Sequence, residues 1–229
     1  MSVVIMVKSG KELFLFGDKK TTHINNFDKE NESYEVESVS YDAQKVYRIK
    51  DDIIVGMVGS SLGYNNLFQY VIHDQKVDAD VANEIKDYKD FVADWLNYQF
   101  ECLEEYLKDD TKHLEIEKMF GAIICGIKDG KFYTTSYGYP ADESARATEL
   151  VIDKDGTIVL SQMKYRSLYA EYYQKFYTEN GGNVFDAIEN TLKTMSKIDD
   201  SISEQFDVVK ISLEWVQSNL KVRNKWRRN

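Results

Sequence analysis

The chain of 229 residues has a single proline, Pro140, and only 12 glycines, so it lacks the Pro-, Gly- and Ser-rich linkers that separate domains. One domain over residues 1–216 is expected, followed by a short tail over 217–229. Two cysteines, Cys102 and Cys125, are too few for a disulfide framework or a four-ligand zinc site, and each lies in apolar sequence. Both read as buried or half-buried thiols. The three histidines, His23, His73 and His113, are scattered, which leaves a metal site or a His-based triad without support. No apolar run approaches the roughly 18 residues of a membrane span, and no basic-then-apolar signal opens the chain. A soluble, cytoplasmic protein without a membrane partner is expected. Basic residues are in the minority, 29 Lys and Arg against 39 Asp and Glu, and the net charge of -10 opposes binding to nucleic acid. The exception is local: after Glu214 come Lys221, Arg223, Lys225, Arg227 and Arg228 with no acid among them.

What the sequence does contain is apolar periodicity, with 43% hydrophobic residues and 13% aromatic. Val3 to Lys8 and Leu13 to Phe16 flank the turn Ser9-Gly10-Lys11-Glu12, which predicts an amino-terminal hairpin. The polar stretch from Thr21 to about Ser40 reads as a surface excursion. Lys45 to Ile49 and Ile53 to Val58 predict a second hairpin, buried on both faces. From about Ser61 to Lys108 the period becomes helical, as a pair of long helices that present the acidic run Glu101, Glu104, Glu105, Asp109 and Asp110 to solvent. Strands resume from Met119 to Ser136 around Asp129-Gly130, and from Leu150 to Leu160 around Asp155-Gly156, each as a hairpin. Two helices over Leu168–Tyr177 and Val184–Met195 follow, the first with a tyrosine-rich packing face, and then a last strand over Asp207–Val216. Strands and helices segregate, so an α+β fold with two antiparallel sheets flanked by helices is expected.

The amino end carries the chemistry. Ser2 follows Met1, and a small second residue permits removal of the initiator methionine, which would put a hydroxyl nucleophile and an amine base in one residue. A serine hydroxyl needs such a base, and an α-amine with a pKa of about 7.7–8.0 is partly neutral at physiological pH. The run from Ser2 to Asp18 resembles the first hairpin of proteasome β-subunits and of the bacterial protease HslV. In that family a nucleophilic Thr or Ser opens the first strand and an Asp closes the second. Asp42 to Ile49 resembles the segment bearing the family's lysine, and Asp51 to Ser61 the strand and small-residue turn that follow it. Asp200 and Ser203 resemble the supporting Asp–Ser pair, and Ser161 lies near the place of a Gly-Ser-Gly turn, here Leu160-Ser161-Gln162.

The resemblance is to N-terminal-nucleophile (Ntn) hydrolases, as a divergent, bacterial- or phage-type member. It implies a four-layer αββα sandwich, no cofactor, a peptide or small amide substrate and assembly into a homo-oligomer, with or without an unfoldase partner. By resemblance Ser2 is the nucleophile, Lys45 its charged partner, Asp18 the holder of Lys45 and Gly59 the oxyanion donor, with Asp200, Ser203 and Ser161 in support. The excursion after Asp18 is about a dozen residues longer than the family's, which a surface loop tolerates. That length and the missing Gly-Ser-Gly motivate an alternative, a non-catalytic subunit or scaffold of the same fold.

Overall fold

A computed structural model describes residues 2–28, 33–59, 105, 108, 120–138 and 150–215. All strand pairing among them is antiparallel. Strands β1 (Val4–Ser9) and β2 (Glu12–Asp18) form the expected hairpin, and β3 (Thr21–Asp28) pairs with β4 (Ser33–Ser40). β5 (Val46–Lys50), β6 (Ile53–Gly59), β7 (Phe120–Lys128), β8 (Lys131–Gly138) and β9 (Leu150–Val151) make a five-stranded sheet in chain order. β10 (Gly156–Leu160) and β11 (Phe206–Ser212) complete a four-stranded sheet of order β10-β1-β2-β11. Helices α1 (Arg166–Glu179) and α2 (Val184–Met195) precede β11.

The apolar run of the first hairpin has a simple cause: both of its faces are buried, so strict alternation would leave one face polar in a dry interior. Val3, Ile5, Val7, Phe14 and Phe16 face the helices, where Tyr169, Tyr173, Ala187, Ile188, Leu192 and Met195 meet them. Val4, Met6, Leu13 and Leu15 face the other sheet and pack on Val46, Ile54, Ile123, Cys125 and Phe132. Each such side chain contributes roughly 1.5–3 kcal/mol on burial. Helices, four-stranded sheet and five-stranded sheet are thus three successive layers. On the far face of the five-stranded sheet Val55, Met57, Ala122 and Ile124 are also fully buried.

Local signals set the ends of the elements. Asn183 caps α2 by accepting the Phe185 and Asp186 N–H groups at 3.0 and 3.3 Å. Asp129 and Gly130 both have positive φ, 51° and 73°, the conformation that a two-residue hairpin turn requires.

Three expectations change. The excursion from Thr21 to Ser40 contains a β-hairpin, because Thr21, Thr22, Ile24, Phe27, Tyr34, Val36 and Val39 supply strand formers among the polar residues. The segment around Asp155-Gly156 is no hairpin: β9 pairs with β8 in one sheet and β10 with β1 in the other. Asp155 is held away from a local turn by Lys8 Nζ at 2.8 Å and the Gly10 N–H at 2.9 Å. In the second hairpin β6 is buried on both faces, but β5 is a sheet edge and exposes Arg48. The helix pair over 61–108, most of the acidic run, Cys102, His73, His113 and the tail over 217–229 lie outside the described residues. Among those described, no helix is long and apolar enough to cross a membrane, and no group of three or more His, Cys, Asp or Glu residues is placed to hold a metal.

Candidate active site

The end of the β1–β2 hairpin where the chain begins holds an unusual density of buried polar groups. Asp18, the last residue of β2, is 0% exposed, and its carboxylate is saturated. Oδ1 accepts the Val3 N–H at 2.8 Å and Lys45 Nζ at 2.6 Å, while Oδ2 accepts the N–H groups of Lys20 at 3.0 Å and Ser203 at 3.3 Å. Lys45, 1% exposed, also donates to the Lys20 carbonyl at 2.6 Å. Its own backbone is fixed by the Met57 N–H, which donates to the Lys45 carbonyl at 2.8 Å. Ser2, 8% exposed, is therefore one peptide unit from an ion pair that binds the next N–H along the chain.

Two glycines let Lys45 reach this position. A Cβ on Gly17 would stand 3.0 Å from both Lys45 Cβ and Val46 Cγ1, and one on Gly56 would stand 2.5 Å from Val4 Cγ1. The sheets approach closely here because neither residue carries a side chain. Burial pushes the Lys45 ammonium below its ordinary pKa, and the charge and hydrogen bond of Asp18 oppose that push, with Asp199 adding to them. The result is a lysine in a dry setting whose ionisation is governed by two opposing effects.

Asp199 is a further acid at this end of the molecule. It is buried, its Oδ1 accepts both the Ser201 N–H at 3.0 Å and the Ser201 hydroxyl, and its Oδ2 accepts the Tyr169 hydroxyl at 3.1 Å. Gln162 Nε2 reaches Ser201 Oγ at 3.4 Å and closes the cluster. Burial, followed by the nearby Asp199 charge, raises the Tyr169 pKa, so the phenol stays a donor. Of the pair read from the sequence, Ser203 stands at the site: its N–H serves Asp18, and its hydroxyl donates to the Gln205 carbonyl at 2.9 Å. Asp200 is exposed and contributes its carbonyl to Lys20 Nζ, so the buried carboxylate is that of the preceding residue. The Asp199-X-Ser201 spacing lets the Asp side chain accept the N–H two residues on, while the tertiary bond from Tyr169 turns it inward.

Ser161 Oγ donates to the carbonyl of its neighbour Gln162 at 3.2 Å, a bond local to the chain. Gly59 ends β6 with φ at 102°, a backbone conformation that favours glycine. His23 is exposed, and Cys125 is a buried free thiol whose pKa burial raises to about 12, which leaves it unreactive.

No protein-family model and no curated protein matches the sequence. Among solved structures, the chain is similar to the crystal structure of eukaryotic HslV from Trypanosoma brucei at 15% sequence identity and a TM-score of 0.47. That likeness covers 92% of this chain and 99% of the other.

Proposed function

We propose that the chain is an N-terminal-serine hydrolase of the Ntn class that cleaves peptide or amide bonds. The observation that carries this reading is the shared oxygen: Asp18 Oδ1 binds both Lys45 Nζ and the backbone N–H of the residue after Ser2. A buried Lys–Asp pair that served stability alone would be a poor device, since apolar residues of similar volume often do as well or better. Beside a serine that can carry a free amine, the pair has chemical work to do.

With Met1 removed, Ser2 Oγ attacks the substrate carbonyl and its proton passes through water to the Ser2 amine. Lys45, held by Asp18, keeps that amine's pKa low enough for it to be neutral and accept the proton. The Gly59 N–H stabilises the oxyanion, the amine returns the proton to the leaving nitrogen, and water then hydrolyses the acyl-serine. The full architecture is the four-layer αββα sandwich, supported by the dryness of Val55, Met57, Ala122 and Ile124 on the outer face of the five-stranded sheet. A cytoplasmic homo-oligomer acting without a cofactor completes the reading.

A second reading, a non-catalytic subunit of the same fold, draws on the local bond from Ser161 to Gln162 and the missing Gly-Ser-Gly turn. One experiment separates the two. Untagged protein is weighed intact and treated with a hydroxyl-directed electrophile. Loss of the methionine mass and an adduct on residue 2, absent in Ser2→Ala, are expected. A retained Met1 with no adduct rejects catalysis, because an acylated nitrogen is no base.

A further inference from the structure

β3 and β4 pair with each other and with no other described strand. A two-stranded ribbon is marginally stable alone in water. This one also leaves apolar side chains uncovered: Val36 is 52% exposed, Val39 40%, and Tyr41 just beyond its end 55%. Its strands carry Asp28, Glu35 and Glu37 and neither Lys nor Arg. Register shifts between His23 and Ile24 and between Ile24 and Asn26 interrupt its ladder, and such bulges discourage a long added strand. The complementary ligand is basic, partly apolar and bound through side chains.

The same chain carries a segment of that description. After Glu214 it has five basic residues and no acid, and from Leu220 to Arg227 they alternate with other residues. Lys221, Arg223, Lys225 and Arg227 fall at one parity, and Leu220, Val222 and Trp226 at the other. An extended chain puts the two parities on opposite sides. Its own molecule could bring only the part after about residue 221 to the ribbon. β11 runs away from the root of the ribbon, with Phe206 opposite Asp18 and Ser212 opposite Glu12. Retracing that strand takes about 20 Å, or about six fully extended residues, before the ribbon is reached. A neighbouring molecule meets no such constraint.

We propose that the β3–β4 ribbon is a docking arm for the basic segment 217–229 of a second copy of this chain. Apolar contact with Val36, Val39 and Tyr41 and charge pairing with the ribbon acids hold the two together. This inference is independent of the hydrolase reading and stands whether or not Ser2 is reactive.

The full chain is prepared unlabelled and with nitrogen-15, the two are mixed, and carbodiimide is used to join lysines to carboxylates in direct contact. Mixed-isotope peptides linking Lys221 or Lys225 to Glu35 or Glu37 are expected. Same-isotope links alone would place the segment on its own ribbon, and no links at all would remove the contact; either result overturns the proposal. Glu35→Lys with Glu37→Lys should cut the mixed product about tenfold, as several weak surface pairs are reversed together. Adding Lys221→Glu and Lys225→Glu should restore it through the opposite pairing. Failure of that swap to restore would likewise overturn it.

Discussion

The two ends of the β1–β2 hairpin use the same residue types in opposite settings. At one end Asp18 and Lys45 meet at 2.6 Å with side-chain exposures of 0% and 1%. At the other, Lys11 meets Glu214 at 2.9 Å and Lys210 meets Glu12 at 2.6 Å, all four well exposed. Distance does not distinguish these pairs; water does. Exposed pairs gain about 0–1 kcal/mol, because solvent screens the attraction and ordering two long side chains costs entropy. The buried pair has lost its hydration, so each partner depends on the other and on the N–H groups of Val3, Lys20 and Ser203. Charge at the turn end is solvated, whereas at the chain-start end it is dry and lies one peptide unit from Ser2.

The sharpest way to break this comparison is to remove one buried partner. Asp18→Asn leaves the Lys45 ammonium dry and uncompensated and should cost about 3–5 kcal/mol, read as a shift in the denaturant midpoint. Asp18→Asn combined with Lys45→Met should be less harmful than Asp18→Asn alone, since no bare charge remains. A cost below about 1 kcal/mol for the single change would make the two ends energetically alike. The next effect lies in the packing that brings Lys45 to Asp18. Gly56→Ala sets a methyl 2.5 Å from Val4 Cγ1, in a core with no slack, and should cost about 1–3 kcal/mol. The same change at Gly10, where a Cβ would meet nothing within 4 Å, tests only the strain of a φ of +57°.

Legibility in the sequence followed the same divide. The first hairpin, the Asp129-Gly130 turn and the helix over Val184–Met195 were readable because period, turn chemistry and burial agree there. The ion pair was readable only by resemblance, since spacing gives no reason for Asp18 and Lys45 to meet across two sheets. The sequence does not separate Asp199 from Asp200, because which of two adjacent acids turns inward is decided by tertiary partners such as Tyr169, 30 residues away. The sheet switch between β9 and β10 was hidden for the same reason: Lys8 and Gly10 capture Asp155, and no local rule encodes that. The β3–β4 ribbon was concealed by composition, its strand formers diluted by Asn, Asp, Glu and Ser.

A smaller effect is expected in alkali, again at the buried end. Burial, with Asp207 nearby, raises the Tyr47 pKa from 10.0 to about 12. The unfolded chain then loses this proton near pH 10 while the folded chain keeps it. Stability from Tyr47 is complete below pH 10 and is lost as pH rises towards 12. Lys45 has the opposite sign, because its lowered pKa releases a proton from the folded state first. The measurement is therefore the difference between parent and Tyr47→Phe across pH 9 to 11. The parent should lose on the order of 1 kcal/mol more, after discounting for partial hydration of the ring.

The smallest effect belongs to the exposed end, and it completes the comparison. Lys11→Ala removes a 2.9 Å contact with Glu214, yet side-chain exposures of 68% and 69% mean that both charges are already solvated. A change of no more than about 0.5 kcal/mol is expected, shrinking further in high salt as screening cancels the remainder. Lys210→Ala should cost slightly more, because Lys210 Nζ also lies 5.7 Å from the centre of the Phe14 ring and its stem covers apolar surface. If that excess persists in high salt while the Lys11 effect vanishes, the residual cost is packing. Ion pairing would then matter at this end only as far as salt allows, in contrast to the salt-insensitive penalty expected for Asp18→Asn.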